Sequence, residues 1–183
     1  MVFMDKNFWS WLAGFIDGDG SFIVGIGKAR TTRINFNPHL RISLAIQNNG
    51  RTAISVLETI KKNIGFGYIN RKNWFESYNL KSLQAVEVAK KLYPFLRLKK
   101  EDCRIFLEVG ERMKRQEHLT KNGLIEIIKL RDTMHTFKCA TRKPLSYFEK
   151  NIKIRAPADK SESTLRGWQT RRFNIAQLNV QRI

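Results

Sequence analysis

The chain has 183 residues, of which 42% are hydrophobic and 11% aromatic, enough to bury a core. Its 34 Lys and Arg against 16 Asp and Glu give a formal charge of +18 and a pI near 10.3, so a polyanionic partner is expected, nucleic acid before an anionic membrane. No run of about 18 uncharged apolar residues and no strongly basic amphipathic helix supports a membrane role, and two cysteines with three histidines exclude a disulfide framework or a four-ligand zinc site.

The opening twenty residues lack a basic leader and an A-x-A-like cleavage site, so no cleaved signal is expected. From Phe8 to about Gly18, apolar residues at 8, 11, 12, 15 and 16 follow helical spacing, while Ser10, Gly14 and Gly18 form a second face of small residues. Two strands follow. "SFIVGIGK" alternates Phe22, Val24 and Ile26, and "HLRISLAIQ" alternates Leu40, Ile42, Leu44 and Ile46 with more polar residues. "TAISVLETIKKNIG" places Ile54, Leu57, Ile60 and Ile64 on one helical face and stops at Gly65.

"FGYINRK" and "WFESYNL" read as a hairpin, and "SLQAVEVAKKLY" as a helix ended by Pro94. Two further helices are expected, from about Lys99 to Arg115 and from about Asn122 to His135. Past Asn151 the periodicity fades, and residues 151–183 carry seven basic and two acidic side chains. The expected division is therefore a domain over 1–150 and a basic extension over 151–183. His135 and Cys139, at i and i+4, lack the partners that would make them a metal site.

No acid lies between Asp19 and Glu58, whereas Lys28, Arg30, Arg33, Arg41 and Arg51 all do. If the apolar set of the second strand faces the helices, His39, Arg41, Ser43 and Gln47 face outward, with Asn35 and Asn37 leading into them. The hairpin adds Tyr68, Asn70, Arg71, Lys72, Asn73 and Trp74. Such a sheet fits a DNA groove, where Arg, Asn and Gln read base edges and the cations neutralise phosphates. A merely solvated face would mix signs.

Asp17 and Asp19 sit where the first helix ends, and the negative end of the helix dipole makes each unfavourable by several tenths of a kcal/mol, roughly, unless a cation offsets it. A hard divalent ion is one such cation. The small face of the helix would let a second copy approach and bring two sets of carboxylates together.

"LAGFIDGDG", residues 12–20, resembles the LAGLIDADG motif of homing endonucleases in seven of nine letters, and "IGFGYI" and "PFLRLKK" also resemble that family, over about residues 5–145. The resemblance implies an α+β, αββαββα fold with a curved antiparallel DNA-binding sheet and extra C-terminal helices. It implies a single-motif chain that acts as a homodimer through Ser10, Ala13 and Gly14 on a near-palindromic duplex of about 20 base pairs. Both strands would be cut by metal-assisted hydrolysis, promoting intron or intein mobility. The metal, Mg²⁺ with Mn²⁺ or Ca²⁺ as substitutes, would be held by Asp19 and the Gly18 carbonyl.

Lys99 matches the family's water-ordering lysine. The polar residue that completes its pocket is Gln47, with Asn49 as the alternative and Arg51 nearby. Asp17 is expected to hydrogen-bond near the helix end rather than to ligate metal. Lys138, Arg142 and Lys143 resemble a phosphate-contacting loop. The same resemblance leaves open an RNA maturase, with intron RNA as partner, and a non-cleaving regulator, against which the retained Asp19 counts. A reducing compartment is expected, either an organelle interior or a prokaryotic cytoplasm.

Overall fold

Alternation is what sets the sheet. Along Phe36–Gln47 the even-numbered residues Phe36, Leu40, Ile42 and Leu44 are buried, while His39, Ala45 and Gln47 are exposed, the pattern of a strand with one packed face. A computed structural model describes residues 6–29, 32, 34–47, 51–72, 74–135 and 142–154. The elements in chain order are α1 (Lys6–Asp19), β1 (Gly20–Lys28), β2 (Phe36–Gln47), α2 (Arg51–Ile64), β3 (Tyr68–Arg71), β4 (Phe75–Lys81), α3 (Ser82–Leu92), α4 (Lys100–Lys114), a 3₁₀ turn (Glu117–Leu119), α5 (Lys121–Thr133) and α6 (Leu145–Asn151).

The four strands form one antiparallel sheet in the order β1-β2-β4-β3. Helices cover one face of it. Phe22, Val24, Leu40, Ile42, Leu44, Tyr78 and Leu80 from the strands meet Leu12 and Ile16 of α1, Ala85 and Ala89 of α3, and Ile105, Phe106 and Val109 of α4 in one core. α1 runs straight into β1, and a Cβ on Gly20 would fall 2.7 Å from the Ile16 Cα, so only glycine lets the strand leave the helix so closely. Gly65, at φ +87°, ends α2 in the conformation expected of a glycine stop.

A second, smaller core lies at the far end of β2, where Ile34 and Phe36 pack with Leu124 and Ile128 of α5 and Phe148 of α6. This explains two differences from the sequence reading. β2 begins at Phe36 rather than His39 because Phe36 anchors that second core, and α6, which no periodic run announces, is held by Phe148, only 2% exposed. The boundary at 150 also shifts. Asn35 Nδ2 donates to the Asn151 carbonyl at 2.9 Å, Lys153 N–H donates to Asn35 Oδ1 at 2.9 Å, and Ile34 bridges Ile154, so residues 151–154 belong with the domain. The remainder of the extension lies outside the described residues.

Among those residues no helix is long and apolar enough to cross a membrane. Phe148→Ala should lower unfolding stability by about 3 kcal/mol, because it empties the centre of the second core. Urea denaturation measures this, and an unchanged midpoint would show that α6 is not an integral part of the domain.

Candidate functional site

The strand register sorts the sheet residues by face. Opposite the helices lie Ser21, Ile23, Gly25 and Gly27 of β1, Asn37, His39, Arg41, Ser43, Ala45 and Gln47 of β2, Phe75, Ser77, Asn79 and Lys81 of β4, and Tyr68 and Asn70 of β3. None of these is acidic. Arg41 and Lys81 are cross-strand partners, and the Lys81 ammonium stands 4.6 Å from the centre of the Tyr68 ring. The His39 ring lies over β1, where a Cβ on Gly25 would overlap it. Burial against the strand and the positive charges of Arg41 and Lys81 hold the His39 pKa below its ordinary value of 6.5.

Two polar atoms on this face, Asn37 Oδ1 and Arg41 Nε, are buried without a hydrogen-bond partner among the described residues. Unpaired buried polar groups are costly, and Glu76 Oε2, Arg112 Nε and His118 Nδ1, away from this face, share the condition. Lys81 was not anticipated as part of this face; Ser77 and Asn79 share it by register but are buried, the Asn79 amide donating to Ser77. The signal was present, since the period-two alternation of "FESYNLK" continues the outward set of the hairpin.

Several expected contacts are placed elsewhere. Arg71 is the cross-strand partner of Glu76, on the helix-facing side, and donates from Nη2 to Glu58 Oε1 of α2 at 2.9 Å. Lys28 pairs with Phe36 and falls on that same side by register, at the exposed end of β1. The Asn35 amide is occupied by residues 151 and 153, as described above. Arg142 donates to the Arg131 carbonyl and pairs with Asp132 at 3.2 Å, tying residue 142 to α5, while the Lys143 ammonium stands over Tyr147 at 5.4 Å. Arg30, Arg33, Asn49, Asn73 and Lys138, and the side chain of Arg51, lie outside the described residues.

The end of α1 is a clasp. Asp17 accepts hydrogen bonds from the backbone N–H groups of Arg97 (2.7 Å) and Lys99 (2.9 Å), which fixes the segment leading into α4. In return the Lys99 ammonium donates to the carbonyls of Ile16 (2.9 Å), Gly18 (3.1 Å) and Gly20 (2.7 Å). Helix C-termini leave carbonyls without partners and carry partial negative charge, so an ammonium there is favourable. Partial burial depresses the Lys99 pKa, while Asp17, Asp19 and Asp102 pull it upward.

Asp19 ends α1 exposed, between the Gly18 and Gly20 carbonyls that Lys99 holds. Gln47 is the last residue of β2, three positions past the Leu44 that pairs with Gly20, or about 10 Å along the strand at the same end of the sheet. Asp19, Gly18 and Lys99 are thus brought together, and Gln47 stands on the sheet beside them. No group of three or more His, Cys, Asp or Glu capable of holding a metal occurs among the described residues. The oxygen donors at the helix end, one carboxylate and one carbonyl, suit a hard cation but make only part of a coordination shell.

The outward face of α1 presents Ser10, Trp11, Gly14 and Phe15, which with Val56 of α2 line an open depression of about 580 Å³. A Cβ on Gly14 or Gly18 would meet nothing within 4 Å. Ala13 is excluded from this face, because it is fully buried in the main core.

Comparison with known proteins agrees with this geometry. The family model for LAGLIDADG endonuclease matches residues 12–100. DNA endonuclease I-CreI of Chlamydomonas reinhardtii is 29% identical over 111 residues, 60% of this chain and 66% of that protein. Probable intron-encoded endonuclease 3 of Neurospora crassa is 24% identical over 132 residues, 70% of this chain and 25% of that protein, so the chain spans only a quarter of that relative's length. Among solved structures, archaeal intron-encoded homing endonuclease I-Vdi141I complexed with DNA superposes with a TM-score of 0.66 at 25% identity, covering 78% of this chain and 93% of that one. The homing endonuclease I-CvuI, in complex with its target in the presence of Ca, shares the fold with a TM-score of 0.70 at 19% identity, covering 79% and 92%.

His39 should titrate below 6.5 by NMR, and Lys81→Gln should raise its pKa by removing a nearby cation. Because the unfolded chain binds the proton more readily, the stability linked to His39 is present above pH 6.5 and lost as the pH falls through the folded pKa. An unshifted His39 in the Lys81→Gln variant would contradict the assignment of both residues to one face.

Proposed function

We propose that this chain, whose residues 12–100 belong to the LAGLIDADG endonuclease family, is a homing endonuclease that binds a long, near-palindromic duplex as a homodimer and hydrolyses one phosphodiester bond in each strand. The observation that carries the reading is Asp19, an exposed carboxylate fixed by the Asp17 and Lys99 clasp at one end of an acid-free, basic sheet face. The sheet gathers phosphate; the helix end supplies the acidic group that phosphate chemistry needs. Intron-encoded relatives and DNA-bound structural neighbours support a mobility role for this chain too.

Asp19 and the Gly18 carbonyl would hold Mg²⁺, which supplies polarisation of the phosphate and a more acidic bound water. The residues around it divide the remaining work. Lys99 has three N–H donors and all three are engaged with backbone carbonyls, so it first stabilises the turn from α1 into β1 and keeps a positive charge beside Asp19. Freeing the Gly18 carbonyl for metal would release one donor toward solvent or phosphate oxygen. Gln47, exposed at the end of β2, offers an amide to the same region.

The single chain supplies one Asp19, and duplex cleavage needs two. A glycine inside a helix is unfavourable by about 0.5–1 kcal/mol relative to alanine. Among the described residues nothing excludes a side chain at Gly14, which is consistent with the close approach of a second α1.

With Mg²⁺ and a duplex recovered from a randomised pool, Asp19→Asn should bind as the wild type does and lose cleavage by at least about 10³-fold in a nicking and gel-shift assay. Wild-type cleavage by that variant would remove Asp19 from the chemistry. Gly14→Leu should be monomeric by light scattering and inactive, whereas a monomeric wild-type chain that cuts both strands would end the two-copy reading.

A further inference from the structure

Trp74 is 83% exposed, the most open large hydrophobic side chain among the described residues. It occupies the tip of the β3–β4 hairpin, closed by the Lys72 N–H donating to the Phe75 carbonyl at 3.1 Å. Phe75 is the cross-strand partner of Gln47, so the tip lies at the end of the sheet where α1 delivers Asp19. Beside Trp74 the tip carries Phe75, itself 38% exposed, with the Lys72 ammonium 5.5 Å from the Phe75 ring and Gln47 opposite Phe75 on β2.

A protein interface surrounds its aromatic anchors with an apolar core. That description suits the Trp11, Phe15 and Val56 depression on α1 and does not suit this hairpin tip. An exposed indole beside a partly exposed phenyl ring, a lysine and an amide is instead the combination that meets nucleic acid, in which the cation takes phosphate and a ring takes the face of a base. Apolar side chains set this way enter between base steps and unstack them.

We infer that Trp74 is a stacking wedge that enters a base step of the bound duplex beside the cleavage centre, once in each half of the site. The inference rests on the DNA-binding reading above. It adds that the chain opens the duplex next to the bonds it cuts, with Lys72 holding the adjoining phosphate.

The test uses duplexes of about 30 base pairs recovered from a randomised pool by the full wild-type chain. 2-Aminopurine is placed in turn at each position. Wild type should raise its fluorescence at one step in each half-site. Trp74→Ala should abolish that rise and weaken binding about tenfold, Trp74→Phe should keep most of both, and the mass by light scattering should be unchanged. Leu83→Ala, an exposed apolar residue on α3, serves as the control without effect. If Trp74→Ala binds within about twofold of wild type and the fluorescence pattern persists, the wedge is refuted while the DNA-binding reading stands. Loss of the dimer in Trp74→Ala would make the residue a subunit contact and refute the wedge as well. Failure of the wild-type chain to enrich any duplex would overturn both readings.

Discussion

The contact on which the rest of the molecule depends is the reciprocal one between Lys99 and the end of α1. A helix ending in Gly-Asp-Gly and turning at once into a strand leaves backbone carbonyls unpaired and stacks two carboxylates on the negative end of its dipole. The Lys99 ammonium meets the carbonyls of Ile16, Gly18 and Gly20, while the Asp17 carboxylate meets the backbone N–H of Lys99 and of Arg97. Each partner therefore offsets the unfavourable charge of the other. The same clasp joins segments some eighty residues apart and sets where α4 begins. One carboxylate is consumed by it and one is left over, and that remainder, Asp19, is the chemically available group.

Charge is partitioned by layer. Seven of the 16 acids lie between Glu101 and Asp132, on the helices. Along α4 and the 3₁₀ turn they pair with Arg104, Arg112 and Arg115 in a chain of contacts of 2.7–3.3 Å, which the solvent screens and which contributes little stability per pair. Their effect is electrostatic rather than mechanical. Over 101–132 these acids are matched by seven Lys and Arg, whereas the outer sheet face carries Arg41 and Lys81 and no acid, which favours a polyanion there.

Much of this was legible in the sequence, for identifiable reasons. The strands and helices to Leu92 show because each has one buried face, so period two or period 3.6 is imposed by packing. Asp17 was legible as a hydrogen-bonding group near the helix end, whereas the hold of Lys99 on the Ile16, Gly18 and Gly20 carbonyls was not read from the sequence. The register puts Arg71 opposite Glu76 on the helix-facing side, which the alternation could not show because a hairpin tip interrupts it. Asn35 and Arg142 carry the right chemistry for phosphate or bases, but tertiary contacts with residues 151–153 and with α5 use it first. Ala13 looks like its small neighbours on α1, and one helical step turns it into the core. α6 could not be read at all, because seven residues are too few to show a period and Phe148 alone holds it.

These misreadings share a direction. Asn35 and Arg142, which sequence placed at the ligand, serve instead to fix a strand end and a chain crossing. The residues that remain on the outer face, His39, Arg41, Lys81, Tyr68 and Asn70, are those with few other duties. Two of the buried polar atoms there, Asn37 Oδ1 and Arg41 Nε, have no partner among the described residues. The outward glycines of α1 are in the same position, since among the described residues nothing excludes a Cβ from Gly14 or Gly18. The acid-free sheet face and the glycine face of α1 thus converge on Asp19, and the charge of the first suits a nucleic acid.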